Sequence, residues 1–582
     1  MRTWSVPIAL VLCVAPLMAQ QPDGGGRVLR HLPIREWVAA SRSSMSSHTT
    51  LPLGSMIQER HFGRFWESGD MTGFLLTPPR EASRLSADVM VDLLDPLLEE
   101  LGEVLVSAEG SSLVLIGPPE GVRKVETQVR ELVAGMVRAV RIRASLFELT
   151  DDRALPAVAE ANQIGTLTRG LPELWSGTTV GYSGAVMSLG RSRTTSLVLD
   201  VDVEVSEKAG IGDPDVAGLF DGVSLAVEPH VLAGSSDLVV FCQFACAEQP
   251  QPVMTRATGV RDMPSLDVPV VDAISGSMSG RVRNQGALLL SARGEGSGGR
   301  SVLLVVRAEA APVTTKSDTV WVAPVSGLLS KALREQVVNE PMEWQNCPLR
   351  LDGEEDSSQW LGPRDRDDLE EMLREALSPD DDADLVMIGN SAILRAEANT
   401  RVAAERVLVG LQDELLRTVA VTARTIAEET ATGEAKDPAG GAVHAVTFPA
   451  LLARPHVLVR GRETTAVTGI DVEIAKNSTM SNPMVDRVFS GLFLSCYAYP
   501  GLSGLGVEAT IDVIHTAPPR RRPRESEAGG DLYLPRTARA RLRHAGAVPA
   551  ETEPMHLGDG PVLELADRAV RTSQTLRVQR LD

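Results

Sequence analysis

Three glycines, Gly294, Gly296 and Gly299, satisfy G-x-G-x-x-G, a spacing that can bring backbone N–H groups up to a pyrophosphate. That chemistry needs a strand before the glycines and a helix after them. Here apolar, strand-like runs lie on both sides, so the glycines read as a hairpin loop. Two acidic clusters, at residues 352–356 and 380–384, have neither the alternating ligands nor the distal glutamate of a calcium loop and read as solvated turns. The nine histidines are scattered, with no H-E-x-x-H, no G-x-S-x-G and no Cys/His pair at ligand spacing. Cys242 and Cys246 stand four apart in a strand-like run, about 13 Å at strand rise, too far to bridge each other. With Cys347 and Cys496 they read as buried thiols, though their disulfide status stays open. No catalytic, metal-binding or cofactor-binding residue is therefore assigned, and the expectation is a protein that is not an enzyme. A periplasmic hydrolase whose groups converge from distant positions is the alternative class.

Without a local reactive motif, function has to be read from the architecture. The 582 residues exceed one core, and 43% apolar content can fill several. A net charge of −20 repels nucleic acid and anionic lipid head groups, so no nucleic-acid partner is expected. Residues 1–19 carry Arg2 and then a short apolar run, the pattern of a signal peptide, which makes the protein exported. Arg520, Arg521, Arg522 and Arg524 surround Pro523 in a proline-rich gap and read as a loop.

The strongest signal is a repeated stretch. Residues 202–225 and 471–494 align without a gap and share Asp202/Asp471, Glu204/Glu473, Pro214/Pro483, Phe220/Phe489 and Gly222/Gly491, among others. Conservative changes fall at apolar positions, which indicates a duplicated structural unit.

The elements repeat in the same order. Ser86 can cap a helix to Leu101, kinked at Pro96, with an apolar face of Val89, Leu93, Leu94 and Leu97. A hairpin turns at Gly110. The second helix follows over residues 121–136, and an alternating strand closes the series over 139–149. Residues 369–377, a hairpin at Gly389-Asn390, a helix through Val402 to Leu415 and a strand over 418–428 repeat it. Each series leads into a β-rich region of strands that read as short, interrupted by Gly and Asp.

This order, with residues 111–132 (SSLVLIGPPEGVRKVETQVREL) and the strand VRIRASLFEL, resembles the ring-building module of the bacterial secretin family. The stretch DPDVAGLFDGVSLAVEPHV, then DLVVFCQFA and VRNQGALLLSA, resembles that family's β domain with its gate hairpin. The chain differs in carrying two such units and only 4% aromatic residues, and Ala498 stands where Pro229 has its counterpart. The resemblance implies an α+β fold: two tandem copies of a small βαββα ring-building-type module, each followed by a mainly antiparallel β domain. The expected divisions are 1–19 signal peptide, 27–150 module A, 151–312 secretin-like β domain A, 313–430 module B and 431–582 secretin-like β domain B. It implies a non-catalytic cell-envelope protein of the periplasm or outer membrane, linked to type II or III protein secretion. It would act through protein partners or self-association, touching the membrane peripherally or through an outer-membrane complex. From the short strands and few aromatics, the expectation is a monomer or small oligomer.

Overall fold

The computed structural model describes residues 27–38, 57–59, 86–205, 210–249, 253–256, 265–295, 300–311, 320–329, 342–344, 347–349, 363, 365–377, 383–388, 391–431, 439–475, 478–501, 504–522, 532–547, 555–559, 563–565 and 568–581. The signal-peptide segment 1–19, Gly296, Gly299 and both acidic clusters except Ala383 and Asp384 lie outside them.

Two small units share one local plan. In the first, β1 (Val28–Pro33), β2 (Leu105–Glu109) and β3 (Ser112–Gly117) make a three-stranded sheet in the order β1-β3-β2. Helices α1 (Ala87–Leu101) and α2 (Pro119–Met136) cover it. The Ser86 hydroxyl accepts from the Val89 N–H at 3.2 Å, satisfying one of the free donors of the first turn of α1, and the helix runs on through Pro96. Leu93, Leu94, Val122, Val125, Val129 and Leu132 form the core at helical spacing.

The main body begins with β4 (Ala139–Glu148), then α3 (Ala161–Leu167), β5 (Glu173–Tyr182), β6 (Met187–Val205) and β7 (Gly210–Val231). It continues through β8 (Leu238–Glu248), β9 (Val270–Val282), β10 (Ala287–Glu295) and β11 (Val302–Ala310).

The second small unit follows, with β12 (Val320–Pro324), α4 (Arg366–Ala376), β13 (Asp384–Ile388), β14 (Ser391–Arg395) and α5 (Ala398–Leu415). Its sheet order is β12-β14-β13.

The chain then returns to the body with β15 (Thr418–Ala431), β16 (Ala439–Leu451), β17 (Arg454–Ala475) and β18 (Ser478–Gly501). It ends with β19 (Gly504–Arg522), β20 (Leu532–Ala547), β21 (Met555–Asp559) and β22 (Arg568–Leu581).

The body consists of two antiparallel sheets. One runs β6-β7-β8-β9-β17-β18-β19-β20, with a short strand at Ile57–Glu59 on β7. The other runs β21-β22-β15-β16-β10-β11-β4-β5. Their facing side chains build one core: Val240, Cys242, Phe244 and Cys246 of β8 lie in the same cluster as Val140, Ile142 and Ala144 of β4 and Phe448 of β16. Alternate residues of β8, Val239 and Phe241, point the other way and join the core of the second small unit.

The expectation of an α+β fold is overturned. The described residues hold 29 strands against six helices, so the fold is mainly antiparallel β. Strands β4 and β15, read from the sequence as closing the small units, pair instead within the large sheet. The two β-rich regions are joined edge to edge, β9 on β17 and β10 on β16, so each sheet contains both. The strands are also not short. Strands β7, β17 and β18 run 22, 22 and 24 residues, because glycine and aspartate inside them do not interrupt a ladder supported on both sides.

Candidate functional site

Residues with chemical potential gather at the two junctions where the halves meet. Strands β9 and β17 pair from Val270 opposite Thr464 to Gly276 opposite Leu458. Strands β10 and β16 pair from Ser291 opposite Thr447 to Glu295 opposite Val443. Across the first junction the Arg462 guanidinium meets the Asp272 carboxylate with two bonds, 2.8 and 3.0 Å, a bidentate geometry that fixes register as well as adding energy. The same bond raises the Arg462 pKa.

Beside it Arg460 is almost fully buried. Burial pulls its pKa down to about 10 against the pull of Asp272, and it donates to the Arg300 carbonyl at 2.9 Å. Arg300 in turn holds Glu148 of β4 at 2.9 and 2.7 Å and Glu248 of β8 at 2.6 Å, clamping one sheet to the other. Those bonds raise the Arg300 pKa and lower that of Glu148. A cavity of about 260 Å³ opens here, lined by Trp175, Val223, Ile274, Arg300 and Arg460 among others. Its two guanidiniums already have carboxylates within reach, so it forms a neutral, largely apolar gap.

A second polar group sits at the start of β17. The His456 ring lies 3.4 Å from the Ser277 hydroxyl and 3.1 Å from the Ser279 hydroxyl. Burial, then the Arg454 charge, pushes the His456 pKa down to about 3. Arg454 itself is lowered to about 9 by burial, opposed by Glu228, and stacks 4.3 Å over the Phe241 ring. Glu228 lies 3.0 Å from His230.

A serine beside a histidine can be a nucleophile and its base, but such a base needs a pKa near the working pH and a route to substrate. His456 is 1% exposed. Ser279 and Ser277 accept from the Leu451 and Val457 N–H groups at 3.3 and 3.4 Å. The arrangement ties β9, β16 and β17 together as a polar clamp. Cys242, Cys246 and Cys496 are free and buried, and burial raises all three thiol pKa values. Among the described residues no group of three or more His, Cys, Asp or Glu is placed to hold a metal ion. Gly294 is the penultimate residue of β10, and the next described element is the strand β11, not a helix.

None of the junction residues was singled out from the sequence. A signal was present: Arg460-Gly461-Arg462 lies 269 residues after Arg191-Ser192-Arg193, the same offset as the repeated stretch. The outer edges of the sheets contrast with the junctions. Among the described residues, strand β6 pairs with β7 alone and β20 with β19 alone; β5 pairs with β4 alone and β21 with β22 alone. No described helix is long and apolar enough to cross a membrane, which leaves crossing by strands untouched.

No family model and no curated protein matches this chain. Solved structures similar to it include the Salmonella SPI-1 type III secretion injectisome secretin InvG, at 12% identity over 51% of this chain and 91% of that one, with a TM-score of 0.20. The type II secretin GspD from enteropathogenic Escherichia coli is similar at 10% identity, over 39% of this chain and 85% of that one, TM-score 0.21. A Klebsiella pneumoniae type II secretion system outer membrane complex of PulD, PulS and the PulC HR domain gives 10% identity, over 98% of this chain and 77% of the matched one, TM-score 0.18. Superpositions this loose carry no weight by themselves; the strand order of the chain does.

Proposed function

We propose that this chain is a non-catalytic, exported envelope protein built from two tandem secretin-like repeats, and that copies join head to tail into a ring with a double β wall. The observation that supports this most is the strand order. In the first sheet β6-β7-β8-β9 is followed by β17-β18-β19-β20, and in the second β5-β4-β11-β10 is followed by β16-β15-β22-β21. Matching the halves pairs β6 with β17 and β9 with β20, and likewise β5 with β16 and β10 with β21. Each junction therefore joins the last strand of one repeat to the first strand of the next. The strands left at the edges, β20 and β6 in one sheet and β21 and β5 in the other, are the same types of strand that meet inside the chain. A heterologous contact of this kind propagates, and it closes into a ring when the rotation allows.

Two irregularities support the match. The register slips between Val198 and Asp200 in β6 and between Val467 and Gly469 in β17, an offset of 269 (467 − 198). A side chain at Gly222 would strike the Arg191 carbonyl, and one at Gly491 would strike the Arg460 carbonyl, again 269 apart at both ends (491 − 222 and 460 − 191).

Closing the ring pairs the open edges, which is what a wall in a membrane requires of every backbone group. The reading places the protein in or at the outer membrane, in a role tied to protein secretion. The test is the mass of the full chain after extraction from cell envelopes in mild detergent. A large multimer is expected, and a monomer at every concentration would contradict the reading.

A further inference from the structure

The slot beside Arg300 and Arg460 lies inside one chain, so what it can hold does not depend on copies joining. In the first sheet Val223, Cys246, Ile274 and Arg460 line it as one row across four strands, each residue opposite the next. In the second sheet Leu146, Trp175 and Val302 line it. The register of β5 on β4 slips here, with Leu146 opposite Trp175 and Phe147 opposite Glu173, so Leu174 is the extra residue of a bulge. Such a bulge re-aims side chains, and both Leu174 and Trp175 line the slot. Leu174 is 38% exposed, so the slot reaches the surface beside β5.

The second repeat treats the same level differently. Leu146 lies opposite Trp175 and Leu304, as Thr425 lies opposite His444 and Gln574. Thr425, His444 and Gln574 are 1%, 4% and 0% exposed. Gln574 donates to the Ala540 carbonyl and Thr425 to the His444 carbonyl, each at 3.4 Å, so this level is closed by polar groups bonded to the chain itself. The first repeat keeps apolar walls and about 260 Å³ of space instead.

We propose that this slot binds one small, uncharged aromatic molecule of one or two rings. Size fits: an apolar cavity of about 150 Å³ holds benzene, so this larger slot admits a bicycle such as indole. Shape fits as well, because sheets stacked about 10 Å apart leave a thin layer that a planar ring can enter. Charge excludes an anion. Arg300 is held by Glu148 and Glu248, and Arg460 and Arg462 share the neighbourhood of Asp272, so three guanidiniums stand against three carboxylates. A neutral ring can still lie against Trp175 and the guanidinium planes.

Calorimetric titration of the full chain with indole tests this. Saturable one-to-one binding is expected, and benzoate, a ring that carries a charge, is expected to bind about tenfold more weakly. Cys246→Phe, which puts a ring into the space, is expected to weaken indole binding about tenfold. Trp175→Leu, at a half-buried position of an edge strand, is expected to weaken it about fivefold and carries the test alone if the phenylalanine variant does not fold. No saturable binding up to about 1 mM indole would overturn the proposal. So would benzoate binding tighter than indole, or an affinity unchanged in the variants.

Discussion

The internal junction and the outer edges of the large sheets have the same strand order but different side chains, and the difference separates what folds the chain from what would join copies. Inside, Asp272 and Arg462 close the ladder with a bidentate ion pair, and His456, Ser277 and Ser279 lie just past the point where the pairing of β9 with β17 ends. At the edges those positions are simpler. Following the registers, Met187 stands at the edge for His456 and Arg193 for Arg462, and Arg541 and Arg543 of β20 stand for Ser275 and Ser277 of β9. Two of these edge arginines are already engaged. Arg193 is paired to Asp221 on its own hairpin, and Arg541 shares the fully buried Asp512 with Arg539. The lesson is that the fold is locked by polar groups at one junction, while at the edges Arg193 and Arg541 keep their charges satisfied within one chain.

The largest effect should come from the core under the junction. Phe448 of β16 is fully buried between the sheets, and its counterpart on the edge strand β5 is Thr179. Phe448→Ala is expected to cost about 3–5 kcal/mol, and Thr179→Ala no more than about 0.5 kcal/mol, by urea denaturation. Equal losses would erase the distinction between junction and edge.

Next in size is the ion pair. Arg462→Ala leaves Asp272 beside Arg460 alone and should cost about 1–2 kcal/mol, reduced from the fully buried case because both side chains are partly exposed. Arg193→Ala at the edge should change stability by less than about 0.5 kcal/mol. A loss at Arg193 as large as at Arg462 would contradict the contrast.

The pH response sharpens it further. His456 has a folded pKa near 3, well below the ordinary value of 6.5, so as the pH falls the unfolded chain takes up this proton first. Stability should therefore fall from about pH 6.5 downward and keep falling toward pH 3, by at most about 1.4 kcal/mol for each unit well below 6.5, hence about 1 kcal/mol between pH 6 and pH 5. His456→Gln should flatten that part of the slope. Met187 carries no proton at the corresponding edge position, so contact between copies should lack this component. An unchanged slope in the glutamine variant would show that His456 is not held neutral.

These contrasts mark how far the sequence could be read. The helices were legible from local chemistry: the Ser86 cap and the stripe through Val122, Val125, Val129 and Leu132 act over a few residues. The repeated stretch was legible because its identities keep one spacing. Strand length and sheet membership were not, because they depend on partners hundreds of residues away. Gly222, Gly461 and Gly491 read as breaks, yet each sits where a neighbouring backbone leaves no room for a side chain, and the strands continue through them. The α+β assignment failed for the same reason: it counted elements near the helices and missed that β4 and β15 belong to a sheet built by both halves. The junction residues escaped because Asp272 and Arg462 are 190 positions apart, and only the shared sheet brings them together.

The central claim is that β20 of one copy pairs with β6 of the next in the register that β9 uses on β17. Carrying that register over from Ala273 opposite Gly461 sets Arg539 opposite Ser192. With Cys347→Ser as background, Arg539→Cys and Ser192→Cys proteins should be mixed under oxidising conditions in detergent and the products separated without reductant. The account predicts a disulfide-linked dimer in the mixture, none from either protein alone, and a ladder of multimers when both cysteines are on one chain. Replacing Ser192→Cys by Thr194→Cys, two residues out of register on the same face, should reduce the yield severalfold. Equal yields from the two registers, or no link between copies at all, would contradict it.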